Sequence, residues 1–147
     1  MAQPHILVTT DFSPAAERAF GPVADIARRL GGKVTVLHIV HDLQIVPLGA
    51  PLAPPQSAPS VDAELQAAKG RMAQVVATFP KDIPVTGEVR NATDVVDAIV
   101  DYCTKHGVDW LAISTNGRTG LSRLVLGSVT EAIVRHSHVP VICFPRK

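Results

Sequence analysis

The chain is poor in the residues that staple small secreted scaffolds or build metal modules. Only two of its 147 residues are cysteine, Cys103 and Cys143, and they form no CxxC pair. A disulfide framework is thereby excluded, and a zinc ribbon or thiol redox motif finds no support. Aromatic residues make up 4% of the chain, with one Trp and one Tyr, and neither stands in a loop that would stack on a flavin. The formal net charge is +1, which gives no overall footprint for nucleic acid or anionic lipid. No run approaches the roughly 20 continuous apolar residues of a membrane helix. The first residues lack a basic n-region followed by an apolar h-region, and Asp11 interrupts the first hydrophobic run, so no signal peptide is expected. The histidines (His5, His38, His41, His106, His136, His138) show no HxxxH or HExxH spacing and read as surface or cap residues rather than metal ligands. No G-x-S-x-G elbow points to a serine hydrolase. The acid cluster of a response regulator is missing as well, since Asp11 stands alone, Arg90-Asn91 follows the third strand and Lys147 is terminal. The expectation is one cytoplasmic domain over residues 1–147, binding neither nucleic acid nor membrane and large enough to bury about 68–70% of the surface its unfolded chain exposes.

What is present is alternation. Strand-length apolar runs occur at His5–Thr10, Lys33–Val40, Pro84–Val89, Asp109–Ser114 and Val139–Phe144. Several are nearly continuous in hydrophobicity, as strands covered on both faces are. Between them lie helical signals. Ser13-Pro14 is an N-cap followed by proline at the first helical position, and Ala16, Ala19, Phe20, Val23, Ile26, Ala27 and Leu30 recur at helical spacing up to Gly31-Gly32. A second helix follows Ser60, from Val61 to about Phe79. Asn91-x-x-Asp94 caps a third, and Ser128-x-x-Glu131 reads as a capping box for a short fourth running to about His136. The order β-α-β-α-β-α-β-α-β predicts an α/β fold, a parallel sheet with helices on both faces. Pro140 inside the last strand predicts an edge position. Residues 41–60 carry five of the 12 prolines (Pro47, Pro51, Pro54, Pro55, Pro59) and read as a surface loop.

Chemistry concentrates after the fourth strand, in Ser114-Thr115-Asn116-Gly117-Arg118-Thr119-Gly120 and on to Leu126-Gly127-Ser128-Val129-Thr130. Glycines let backbone N–H groups approach a phosphate, and a helix N-terminus offers unpaired donors and a favourable dipole. Arg118 and Arg123 can offset polyphosphate charge. No lysine follows the closing glycine, so this is not a Walker loop, and no GxGxxG follows the first strand. The same glycines also serve as ordinary loop and cap residues, and on spacing alone both readings stand. Thr9-Thr10-Asp11 closes the first strand, where an acid can take Mg²⁺ or a ribose or base hydrogen bond, or simply favour a helix N-terminus.

Taken together, ILVTTDFSPAAERAF, VTVLHIV and STNGRTGLSRLVLGSVTEAIVRHSHVPVICF resemble the universal stress protein family over essentially the whole chain. The tail is the specific portion. Nucleotide-binding members of that family carry Gly, two residues, Gly, nine residues, then Gly-Ser or Gly-Thr. Here Gly117, the stretch Arg118 to Leu126, and Gly127-Ser128 match, while Ser114 stands where the first glycine would be. The resemblance implies a doubly wound five-stranded parallel sheet of order 3-2-1-4-5. It implies ATP, or alternatively ADP or AMP, with Asp11 beside the nucleotide and available to Mg²⁺, and Thr9 and Thr10 next to it. Ile39 would line the adenine with Ile113 nearby. The phosphates would meet the backbone of Asn116, Gly117, Gly127, Ser128 and Val129, with Ser128 and Thr130 supplying hydroxyls. A homodimer through strand 139–144 is implied too. The expected role is a nucleotide-responsive regulatory module. The alternatives are a slow ATPase, with Asp11 the one acid to test as base, and a nucleotide-free dimeric interaction protein.

Overall fold

The computed structural model describes residues 2–42, 60–115 and 127–145. Five strands form one sheet: β1 (His5–Thr9), β2 (Lys33–His41), β3 (Val85–Ala92), β4 (Trp110–Ser114) and β5 (Val141–Phe144). Every pairing is parallel and the order is β3-β2-β1-β4-β5. The helices are α1 (Pro14–Glu17), α2 (Phe20–Leu30), α3 (Val61–Thr78), α4 (Val95–Lys105) and α5 (Ser128–His136). This is the Rossmann-like α/β arrangement that the alternation and the resemblance imply.

Strand alternation sorts the core into two layers. Ile6, Val8, Val34, Val36 and Val40 pack with Phe20, Val23 and Ala27 of α2 and Ala68, Met72 and Val75 of α3. Leu7, Leu37, Leu111 and Ile113 face the other way, with Ile99, Tyr102 and Cys103 of α4 and Ile133 of α5. Central β1 is apolar on both faces because it is covered on both. Both cysteines are free, and burial pushes the Cys103 thiol up to about 11, so it serves as a small hydrophobe.

Three expectations need correcting. The helix expected without a break from Pro14 to Leu30 is two. A continuous helix would give the Ala15 carbonyl to the Ala19 N–H. Instead that carbonyl accepts from Ser114 Oγ at 3.0 Å, and Ala19 N–H turns to the Ala16 carbonyl at 3.1 Å. The third strand runs on to Ala92, so Asn91 lies in β3 and Asp94 alone caps α4, accepting from the Asp97 N–H at 2.9 Å. Pro140 lies just outside β5, its carbonyl accepting from Leu111 N–H at 2.9 Å. The edge position of β5 holds.

His5 is buried rather than on the surface. Its Nδ1 lies 3.3 Å from the His106 carbonyl, which can only accept, so Nε2 is the acceptor for Thr35 Oγ1 at 2.8 Å. Burial pushes its pKa below 6.5, and Lys33 adds to this against the opposing pull of the His106 carbonyl and Asp109. As pH falls below 6.5, the unfolded chain binds a proton that the folded chain resists. The His5 contribution to stability is therefore complete above that pH and lost below it. Urea midpoints at about pH 7.5 and about pH 5 should differ less in His5→Gln than in the parent chain.

Candidate functional site

The sheet order reverses between β1 and β4. The chain leaves β1 toward the α2 face, and α5, which follows β4 in the chain, packs on the opposite face. Parallel sheets bind ligands in the crevice outside the strand ends at such a switch point.

On the β1 side, Thr9 is half-buried and Thr10 buried. Thr10 is pinned three ways. Its N–H donates to the Leu37 carbonyl at 2.9 Å, its carbonyl lies 2.7 Å from His38 Nδ1, and its Oγ1 accepts the Phe12 N–H at 3.0 Å. Asp11 Oδ1 accepts the Ser13 N–H at 2.9 Å, and Ser13 Oγ caps α1 through the Ala16 N–H. An acid is thus folded back beside a helix start, where its charge is favoured.

On the β4 side, two bonds stitch α5 to the strand end. Gly127 N–H donates to the Thr115 carbonyl at 3.3 Å, and Thr130 Oγ1 donates to the Ser114 carbonyl at 3.4 Å. Gly127, not Ser128, is the N-cap of α5, and as a glycine it offers no side chain to cap the helix. The expected capping box is therefore not formed. Ser128 is the first helical residue, and Glu131 N–H bonds the Gly127 carbonyl at 2.9 Å. Ser128 and Val129 are exposed, whereas Thr130 is buried with its hydroxyl committed to Ser114.

Strand alternation decides which candidates share a face. Ile39 and Ile113 stand with Leu37 and Leu7 on the α4–α5 side. Ser114 points the other way, its Oγ bonded to Ala15. The serine in place of a glycine thus occupies space on the α1 side and none beside the start of α5. Asn116, Gly117, Arg118 and Arg123 lie outside the described residues. Among the described residues no group of three or more His, Cys, Asp or Glu is placed to hold a metal ion. None of the described helices is long and apolar enough to cross a membrane.

Residues the sequence reading passed over also shape this crevice. His38, read only as a surface or cap residue, anchors Thr10, and Phe12 packs its ring 4.4 Å from that of His38. The alternation in VTVLHIV, with Val36 on one face and Leu37 on the other, was the available signal for where His38 points.

A doubly wound α/β chain with an acid after β1 and a helix start after the adjacent β4 defines a Rossmann-like protein. The model of the universal stress protein family matches residues 4–145, and the chain belongs to that family. The universal stress protein MJ0577 of Methanocaldococcus jannaschii is 29% identical over 97% of this chain and 94% of its own length. The structure of UspA from Lactobacillus plantarum superposes with a TM-score of 0.77 at 29% identity, covering 99% of this chain and 100% of that one. An Archaeoglobus fulgidus universal stress protein solved in complex with dAMP shares the fold, with a TM-score of 0.67 at 22% identity over 97% of each chain.

Proposed function

We propose that this chain binds an adenine nucleotide, ATP in the first instance with ADP or AMP as alternatives, in the crevice between the ends of β1 and β4. The nucleotide acts as ligand and switch in a cytoplasmic stress-response module. The observation that carries this reading is the stitching of the α5 N-terminus to β4, one strand away from Asp11. The N–H groups of Ser128, Val129 and Thr130 begin a helix whose glycine N-cap has no side chain to bond them, an arrangement suited to phosphate oxygens. Gly117 and Arg118, with Asn116, complete the cradle in this reading. Half-buried Ile39 offers apolar surface to the base with buried Ile113 on the same face behind it, Thr9 and Thr10 set the crevice wall, and Asp11 takes the ribose, the base or a Mg²⁺ ion. The relatives solved with dAMP and with cAMP make adenine the base to test first. In this reading Ser114, its hydroxyl bonded to the Ala15 carbonyl on the α1 side, is tolerated in place of the first glycine.

Calorimetric titration of ligand-stripped protein with ATP, with and without Mg²⁺, tests the reading. Micromolar affinity is expected, about −8 kcal/mol. Absence of binding at millimolar ATP would leave a nucleotide-free interaction module instead.

The protein acts as a homodimer through β5 in the same reading. All four β5 residues, Val141 to Phe144, are apolar and only half-buried on an edge strand, and Val134 on α5 is exposed. Sedimentation at micromolar concentration should give twice the 15.6 kDa chain mass. A single-chain mass would sink the dimer.

A further inference from the structure

The turn that carries Asp11 has a backbone its sequence does not favour. Phe12 has φ 61°, and among the described residues it is the one non-glycine with positive φ. A β-carbon in this region costs roughly 1–2 kcal/mol, and phenylalanine has no polar group to offset it locally, as Asn or Asp would. Something outside the turn must hold it. Thr10 Oγ1 accepts the Phe12 N–H at 3.0 Å. The buried Phe12 ring sits 4.4 Å from that of His38, tilted by 42°. The guanidinium carbon of Arg71, from α3, lies 4.6 Å from the same ring centroid. His38 also reaches the Thr10 carbonyl at 2.7 Å, so one side chain braces both neighbours of Asp11.

We propose that Phe12 is a positioning residue for Asp11: its ring, clamped by His38 and Arg71, maintains the left-handed turn that aims the Asp11 carboxylate at the crevice. The role rests on the nucleotide reading, but the clamp exists without ligand. The Phe12 ring and Arg71 also line a groove of about 490 Å³ between α2 and α3, so the clamp joins that face of the sheet to the site.

Phe12→Gly separates the two requirements. Glycine adopts positive φ at no steric cost, so if only the turn mattered the variant would match or exceed the parent. The clamp predicts the opposite. In ligand-free protein, exchange of the Ser13 amide, which Asp11 Oδ1 accepts, should accelerate about tenfold or more in Phe12→Gly while the Leu7 amide in β1 stays protected. Phe12→Tyr should restore parental exchange. Arg71→Gln, at an exposed helix position, should accelerate Ser13 exchange in the same direction but less, and keeps the test open should Phe12→Gly not fold. Where the parent binds ATP, Phe12→Gly should weaken it about tenfold, with no further loss in an Asp11→Ala background. Parental Ser13 exchange in Phe12→Gly and Arg71→Gln, or affinity losses that simply add to Asp11→Ala, would overturn the proposal. A parent that binds no nucleotide would overturn the nucleotide reading, while the exchange result still decides the clamp.

Discussion

Replacing Gly127 by valine should abolish nucleotide binding and leave the fold intact. The two halves of this result come from different observations. Gly127 has φ −56° and ψ 151°, a conformation valine adopts freely, so the substitution carries no backbone strain. Among the described residues a β-carbon there would meet the Thr115 carbonyl oxygen, at 3.7 Å, which is ordinary contact. The position beside Gly127 adjoins the first N–H groups of α5, where in the nucleotide reading a phosphate must come within about 3 Å to be bonded. An isopropyl group would fill it and could not be rotated wholly aside, since its branches start at the β-carbon. The expected calorimetric result is at least about a 100-fold rise in Kd, some 2.7 kcal/mol, with Tm within about 3 °C of the parent. Gly127→Ala, with one methyl, should lie between. Unchanged affinity in the valine variant would remove the start of α5 from the site.

Much of the architecture was legible because the strands are long apolar runs of branched residues and the helices carry strong starts. Ser13 and Ser60 each cap a helix where the sequence places a cap, and of the pair Asn91-x-x-Asp94 only Asp94 does. The edge position of β5 holds, although Pro140, from which it was expected, lies just before the strand and not in it. Beyond strand bounds misplaced by a few residues, the misreadings lie where tertiary hydrogen bonds compete with a local signal. The run from Pro14 to Leu30 has helical spacing throughout, and only the approach of Ser114 to the Ala15 carbonyl divides it. Ser128-x-x-Glu131 has capping-box spacing, yet the bond from Gly127 N–H to Thr115 moves the cap one residue earlier. His5 looked like a surface residue because its partners, Thr35 and the His106 carbonyl, come from distant segments.

The candidate site divides in the same way. Thr9, Thr10, Asp11 and the Gly127–Thr130 segment could be located from strand ends and helix starts alone. The direction of the Ser114 side chain was also available, since it alternates with Ile113 along β4. The left-handed turn at Phe12 was not, because phenylalanine gives no local preference for positive φ.

The largest stability effect tied to the site is expected at Ile133. A nine-residue helix is too short to persist in water, so α5 depends on its packing. Its buried residues are Thr130 and Ile133, and Thr130 contributes mainly a bond to the Ser114 carbonyl. Ile133, 2% exposed, is therefore its principal apolar anchor, set in the cluster with Leu7, Ile99, Leu111 and Ile113. Ile133→Ala removes three carbons from a closely packed interior and leaves a cavity, costing about 3 kcal/mol within a usual span of about 2–5. The loss should appear as a lower urea midpoint with unchanged m-value. The same cavity loosens the helix whose start is the proposed phosphate donor, so affinity should fall about tenfold in conditions where the variant remains folded, because preorganisation is lost. Arg135→Ala is the control. Its exposed i,i+4 ion pair with Glu131 is worth about 0.3–0.5 kcal/mol. If Ile133→Ala lowered stability as expected and left affinity untouched, the two bonds from Gly127 and Thr130 to the end of β4 would suffice to hold the helix start in place.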